Sequence, residues 1–198
     1  MNEDKTRFAD IVLSLTGLLV CSPLFLLITI LIKSTSKGPV FFSQTRVGLN
    51  NKDFAIYKFR TMYQGAAGKN ALTVGSKDSR ITGIGYYLRK YKLDELPQLY
   101  NVLKGDMSIV GPRPELRKYV ELYSPEQRNV LCAKPGITDY ASIRFRNEND
   151  LLAAAENPEN YYIEHILPLK LQLNQQYLKN KSLRNYFFVI WATISGRS

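Results

Sequence analysis

Asp94 and Glu95 are the residues of this chain best suited to chemistry: adjacent carboxylates, preceded by Arg80, Arg89, Lys90 and Lys92 and followed by Pro97, which fits the first turn of a helix. Acidic residues at a helix N-terminus ordinarily stabilise the macrodipole and do nothing more. The cations around this pair admit a second reading. Adjacent helical residues point about 100° apart, so one carboxylate would face a reacting phosphorus while the other holds a metal, instead of the two sharing a proton. A carboxylate is a competent nucleophile towards phosphorus, because the acyl phosphate it forms is energy-rich and passes its phosphoryl group onward. To approach an anionic diphosphate it needs Mg²⁺ and guanidinium groups that offset the repulsion and the charge of the transition state. The candidates are Lys58 and Arg60 in Lys58-Phe59-Arg60-Thr61-Met62, Arg89, Arg113 in Gly111-Pro112-Arg113-Pro114, and Arg144 and Arg146. Arg113, fixed between two prolines beside a glycine, is the least like an ordinary solvated charge.

Other chemistries are disfavoured by composition. One histidine, His165, and two cysteines, Cys21 and Cys132, leave no material for a zinc site, a Ser-His-Asp triad or a disulfide framework. The 198 residues, 45% of them apolar, suit one compact domain and exclude disorder. A net charge of +10 points to an anionic partner: phosphate, nucleic acid or an anionic membrane. Nucleic acid is the poorest of the three, since no nucleic-acid-binding motif is recognised and an apolar anchor counts against it.

That anchor is residues 11–32, which carry no charged side chain. At about 1.5 Å per residue such a run is long enough for a hydrocarbon core of ~30 Å. Ser22-Pro23 lies at its midpoint, where Pro23 removes a helix donor and kinks the chain while the Ser22 hydroxyl can satisfy the freed carbonyl. Lys5 and Arg7 precede the run and Lys33 and Lys37 follow it, whereas a spanning helix shows its basic excess on one side. The residues alone leave a plain span and a re-entrant hairpin both open. A signal peptide is disfavoured by the length of the run and by the lack of a small-residue cleavage site before Lys33.

Beyond Gly38-Pro39, residues 40–44 and 54–58 read as strands of a hairpin closed by the loop 48–51, and residues 65–75, rich in Gly and Ala, as a mobile loop. Helical patterns follow at 85–91, 94–103, 114–122, 125–132, 148–156 and 161–178. The aromatic tail, 183–196, is too short to span and reads either as an interfacial helix or as a buried terminal core helix. The expected fold is α+β, mainly α, with residues 1–198 forming one catalytic domain.

The ordered series of motifs resembles the monotopic phosphoglycosyl transferases, the bacterial sugar transferases that begin polyprenol-linked glycan assembly. It runs from the Ser22-Pro23 kink through Gly38-Pro39-Val40-Phe41-Phe42-Ser43-Gln44-Thr45-Arg46-Val47-Gly48 and Tyr57-Lys58-Phe59-Arg60-Thr61-Met62 to Leu93-Asp94-Glu95-Leu96-Pro97-Gln98. Gly111-Pro112-Arg113-Pro114 and Lys134-Pro135-Gly136-Ile137-Thr138 complete it. The resemblance implies a ping-pong reaction. Asp94 attacks the β-phosphate of a UDP-sugar, UMP leaves, and polyprenol phosphate accepts the phosphosugar. It implies further that Glu95 helps Asp94 hold Mg²⁺, that Lys58, Arg60, Arg89 and Arg113 meet phosphate, and that Arg146 with Asn147 approaches the nucleotide. A re-entrant helix over residues 8–34, membrane lipids as partners, and a site on the cytoplasmic face of the bacterial inner membrane are implied as well, with dimerisation left open. So is a catalytic core without the multi-span N-terminal extension of larger relatives. Two departures from the family pattern, Asp139-Tyr140 after the Ile-Thr and Glu159 ahead of Tyr161-Tyr162, bear on the sugar pocket.

Overall fold

The computed structural model describes residues 3–65 and 78–196. The described chain is α+β and mainly helical, as its sequence pattern predicts. Most of the loop expected over 65–75 lies outside the described residues.

Helices α1 (Glu3–Val20) and α2 (Ser22–Thr35) meet at Cys21 with a bend of 58°. Pro23, in the first turn of α2, has no N–H to offer the Leu19 carbonyl four residues back, and the Ser22 hydroxyl donates to that same oxygen at 2.8 Å. The predicted kink thus forms by the predicted device. No single described helix is long and apolar enough to cross a membrane; the bent pair is so only when its two halves are taken together. The faces of α1 are inverted relative to a water-facing helix. Asp10 and Ser14 are buried against the protein, whereas Phe8, Val12, Leu15 and Leu19 are exposed, as are Leu26, Leu27 and Ile30 of α2.

Strands β1 (Phe41–Val47) and β2 (Asp53–Phe59) form the expected antiparallel hairpin, in register from Phe41 opposite Phe59 to Val47 opposite Asp53. Asn50 and Asn51 turn it through positive φ, a conformation asparagine tolerates better than most residues. Helix α3 (Gly83–Lys90) follows, capped by Thr82, whose hydroxyl accepts from the Gly85 amide at 3.0 Å. A single 3₁₀ turn, Leu93–Glu95, precedes α4 (Gln98–Lys104). The continuous helix expected over 94–103 is therefore broken at Leu96-Pro97. Asn101 of α4 is fully buried and spans the gap to β2, accepting from the Tyr57 amide at 3.1 Å and donating to the Ala55 carbonyl at 2.7 Å.

Strands β3 (Ser108–Val110) and β4 (Gly136–Thr138) pair in parallel, Ser108 opposite Gly136 and Val110 opposite Thr138, a pairing that sequence periodicity did not predict. The ladder closes on glycine: a Cβ on Gly111 or Gly136 would collide with the backbone opposite. Between these strands only α5 (Arg117–Val120) and the 3₁₀ segment Gln127–Cys132 are helical, so the helices expected over 114–122 and 125–132 are one short helix and a 3₁₀ turn. Residues 113–115 are in neither helix nor strand, and the Glu115 carbonyl accepts from the Val47 amide.

Short helices α6 (Tyr140–Arg144), α7 (Glu148–Ala154) and α8 (Pro158–Tyr161) lead through a π turn, Tyr162–Ile166, into α9 (Leu167–Lys179). Tyr119, Val120, Leu152, Tyr162, Ile166 and Leu171 make the core beneath them. In α10 (Leu183–Ser195) Tyr186, Val189 and Ala192 are buried, and Phe187, Phe188, Trp191 and Ile194 face outward, so the tail packs one face on the core and leaves the other exposed.

Candidate active site

Lys92 adopts a positive φ of 57°, which turns the chain sharply into the 3₁₀ segment and sinks the two carboxylates after it. Asp94 is 8% exposed and Glu95 9%. Glu95 Oε1 accepts from Lys58 Nζ at 2.7 Å and from Arg113 Nη2 at 2.5 Å. The two cations arrive from separate elements, Lys58 from β2, tied to α4 by Asn101, and Arg113 from the segment after β3. Arg113 is itself pinned, since its backbone amide donates to Asp139 Oδ2 at 3.2 Å, while Asp139 Oδ1 caps α6 by accepting from the Ser142 amide at 2.5 Å. Asp139, one of the departures from the family pattern, is thus fully buried and acts on the backbone of Arg113. Glu159, the other, pairs with Lys118 on the surface.

The neighbours split the pair electrostatically. Burial alone would raise the Glu95 pKa, but Arg113 and Lys58 overcome it and hold the carboxyl well below the usual range. Asp94 goes the other way: burial raises its pKa, and the adjacent Glu95 charge adds to the effect while Lys58 and Arg89 oppose it. Glu95 is therefore a fixed anion neutralised by two cations. Asp94 is the more basic carboxylate, bearing neither of the ion pairs that occupy its neighbour, and lies against a cavity of ≈ 1640 Å³. This exceeds the ~300–1,000 Å³ usual for one small ligand.

Arg89 lines the same cavity, its Nε donating to Thr61 Oγ1 at 2.8 Å, and its charge acts on Asp94. Arg60 also borders the cavity, but both of its terminal nitrogens donate to backbone carbonyls, Nη1 to Lys37 and Nη2 to Ser36 at 3.0 Å, so it fastens the exit of α2. Arg146 likewise donates through Nη2 to the Ala192 and Thr193 carbonyls at 2.7 and 3.1 Å, capping α10 at the cavity rim, with Asn147 beside it at the start of α7. The structure thus gathers Asp94, Glu95, Lys58, Arg89 and Arg113 in one place and gives Arg60 and Arg146 backbone-holding tasks at its edge.

Among the described residues no group of three or more His, Cys, Asp or Glu side chains is arranged to hold a metal. Asp94 and Glu95 still suit a Mg²⁺ ion, which commonly takes one or two carboxylates and completes its shell with substrate phosphate and water. Both cations on Glu95 meet the same oxygen, Oε1, leaving Oε2 outside those ion pairs.

Sequence reasoning passed over a second charged cluster in the cavity wall: Arg46, Glu115, Glu148, Tyr162 and Lys170. Its faint signal was Lys170, a lone charge in the apolar run Leu167-Pro168-Leu169-Lys170-Leu171.

Over 193 residues the chain is 37% identical to a UDP-N-acetylgalactosamine-undecaprenyl-phosphate N-acetylgalactosaminephosphotransferase of Aeromonas hydrophila, covering 95% of this chain and 42% of that protein. It is 39% identical over 164 residues to a UDP-glucose:undecaprenyl-phosphate glucose-1-phosphate transferase of Klebsiella pneumoniae, 81% of this chain and 35% of the relative. An uncharacterized sugar transferase of Bacillus subtilis is 47% identical over 131 residues, 66% of this chain and 64% of the relative. The chain thus spans between about a third and two thirds of the length of these curated relatives. Since the family model described as bacterial sugar transferase matches residues 1–197, enclosing both the bent helix pair and the buried carboxylates, the chain belongs to the bacterial sugar transferase family.

Proposed function

We propose that this protein is a phosphoglycosyl transferase that moves a sugar 1-phosphate from a UDP-sugar to polyprenol phosphate at the cytoplasmic face of the bacterial inner membrane, through a covalent aspartyl intermediate. One observation carries the reading: Asp94 is buried beside a fully compensated Glu95, with Lys58, Arg89 and Arg113 around a cavity large enough for a nucleotide sugar and a lipid headgroup. The names of the relatives, which act on undecaprenyl phosphate with UDP-sugars, support the substrates.

In the first half-reaction an Asp94 carboxylate oxygen attacks the β-phosphorus. The bond from that phosphorus to the bridging oxygen breaks and UMP departs with the oxygen, leaving the phosphosugar on Asp94. In the second, a phosphate oxygen of the polyprenol acceptor attacks the same phosphorus and expels the Asp94 carboxylate. Arg113 and Lys58 hold Glu95 in place and bring positive charge to the incoming diphosphate, while Arg89 approaches from α3. Mg²⁺, when bound by Asp94 and Glu95, supplies further neutralisation of the diphosphate.

The lipid acceptor requires the cavity to open near a bilayer. The outward apolar residues of α1 and α2 suit hydrocarbon, and the 58° bend with basic residues at both ends suits a re-entrant helix pair whose termini share the cytoplasmic side. The outward aromatics of α10 suit the headgroup region.

The test is to incubate the purified protein with Mg²⁺ and a UDP-sugar radiolabelled in the β-phosphate, without lipid acceptor. Labelled protein and a stoichiometric burst of UMP are expected. UMP formed only when polyprenol phosphate is present, with no labelled protein, would favour direct transfer between the two substrates.

A further inference from the structure

The wall of the cavity beyond Arg113 holds a second ionic cluster of a different character. Glu115, two residues after Arg113, is 9% exposed, and its Oε1 accepts from the Tyr162 hydroxyl at 2.7 Å. Its other oxygen, Oε2, has Arg46 Nη1 at 3.8 Å, and Oε1 has Lys170 Nζ at 4.0 Å. Lys170, 6% exposed, bonds Glu148 directly at 2.6 Å and stands over the Tyr162 ring. All five side chains line the cavity that contains Asp94.

Two features of this cluster point to a ligand. The cluster is electrically balanced, with Arg46 and Lys170 against Glu115 and Glu148, unlike the surplus of cations near Asp94. An anion gains little there, whereas a neutral group rich in donors and acceptors can bond to both signs of charge. The contacts of 3.8 and 4.0 Å are also too long for direct hydrogen bonds. Gaps of that length between buried charges fit a bridging polar atom, and hydroxyl oxygens both accept from the cations and donate to the carboxylate.

We infer that Glu115, with Arg46, Lys170 and Glu148, forms the subsite for the sugar ring of the nucleotide sugar, and that its hydroxyl pattern sets which sugar is accepted. This rests on the proposed reaction, which puts a UDP-sugar β-phosphate at Asp94 and so the glycosyl group one phosphate further along the cavity wall. Buried charged groups discriminate strongly between stereoisomers. An epimer that lacks a hydroxyl at the right place forgoes a hydrogen bond to a buried charged group.

The experiment uses the full chain with UDP-glucose, UDP-galactose and their two N-acetylated counterparts. Binding of each, and of UDP alone, is measured with turnover to polyprenol phosphate for the wild type, Glu115→Gln and Glu148→Gln. The wild type should bind its preferred UDP-sugar more tightly than UDP. In Glu115→Gln the kcat/KM ratio between that sugar and its epimer should fall by about tenfold, the size of one hydrogen bond to a charged group, while UDP affinity stays within about twofold. Should Glu115→Gln fail to fold, Glu148→Gln, whose side chain is only partly buried, reads the same subsite through Lys170. An unchanged sugar ratio in the folded variant, or equal losses for UDP and UDP-sugar, would overturn the subsite. A UDP-sugar that binds in a Glu115-dependent way yet never yields UMP would instead sink the transfer reaction and leave the subsite standing.

Discussion

Glu95 and Arg113, 18 residues apart, meet through a 2.5 Å bond to one carboxylate oxygen, and that bond joins the turn bearing the proposed nucleophile to the segment after β3. Lys58 reaches the same oxygen from β2, so three elements converge on a single atom. Arg113→Lys keeps the charge but gives up the planar fork and its reach. We expect kcat to fall by about 10²–10³-fold, the usual effect of losing one preorganised cation or donor, with UDP-sugar KM changing less. Steady-state UMP release measures both. A lysine variant as fast as the wild type would reduce Arg113 to a bystander.

Asp94→Asn retains shape and removes the anionic nucleophile. Adduct formation should disappear and turnover should fall by at least about 10⁴-fold. Burial already disfavours the Asp94 carboxylate, as the upward direction of its pKa records, so the neutral amide should leave the thermal midpoint equal to or above that of the wild type. Radiolabel transfer and a thermal melt check the two halves separately. Full activity in a folded Asp94→Asn protein would end the covalent proposal.

Removal of divalent ions should abolish UMP release, and added Mg²⁺ should restore it, because only two carboxylates and a few cations face a highly anionic substrate. The same treatment should leave the unliganded protein's thermal midpoint nearly unchanged, since no built cage of three or more protein ligands is found among the described residues. A large loss of stability on chelation would point to a structural ion instead.

Local chemistry was legible in the sequence where a residue acts on its own neighbours. Pro23 and Ser22 set the bend through the Leu19 carbonyl, and the Gly48-to-Asn51 loop closes a hairpin in the expected place. Reading failed where partners are distant in the chain. The helix expected over 114–122 shrinks to Arg117–Val120, because Val47 takes the Glu115 carbonyl and Asp139 takes the Arg113 amide, tertiary bonds that override helical propensity. The β3–β4 ladder depends on two glycine backbones in close approach, with no alternation of side chains to betray it. Of the candidate site, Asp94, Glu95, Lys58, Arg89 and Arg113 line one cavity. The resemblance implies phosphate for Arg60 and the nucleotide for Arg146 with Asn147; the carbonyls that these two arginines also hold belong to chain segments 23 and 46 residues away, which no local pattern announces.

Asp10 should prove the residue on which docking of α1 most depends. Its Oδ1 accepts from Ser108 Oγ at 3.0 Å, the Ile109 amide at 2.9 Å and the Tyr186 hydroxyl at 2.7 Å, linking α1 to β3 and to α10. Arg7, one turn earlier, adds bonds to the Val102 and Leu103 carbonyls at the end of α4. Asp10→Ala leaves three donors facing a gap and should cost at least about 2 kcal/mol, a fall of ~4–8 °C in midpoint for a chain of this size. Asp10→Asn, which keeps one acceptor oxygen, should cost less than half of that. Equal stability of wild type and Asp10→Ala would remove the anchoring role.

The bend itself can be tested by straightening it. Pro23→Ala restores an amide at the point where Leu19 now lacks a backbone donor, and Ser22→Ala removes the hydroxyl that competes for that carbonyl. The double variant should favour a continuous helix through residues 5–35, long enough at 1.5 Å per residue to cross ~30 Å of hydrocarbon. A cysteine placed in an N-terminal tag should then move from labelling on the cytoplasmic side in wild-type cells to labelling from the outer side. Because Arg7 and Asp10 fasten the start of α1 to the protein body, the shift should be larger when Asp10→Ala is added. A tag that stays cytoplasmic in the triple variant would mean that the Arg7 bonds and the basic flanks, not the Ser22-Pro23 break, keep both ends on one side.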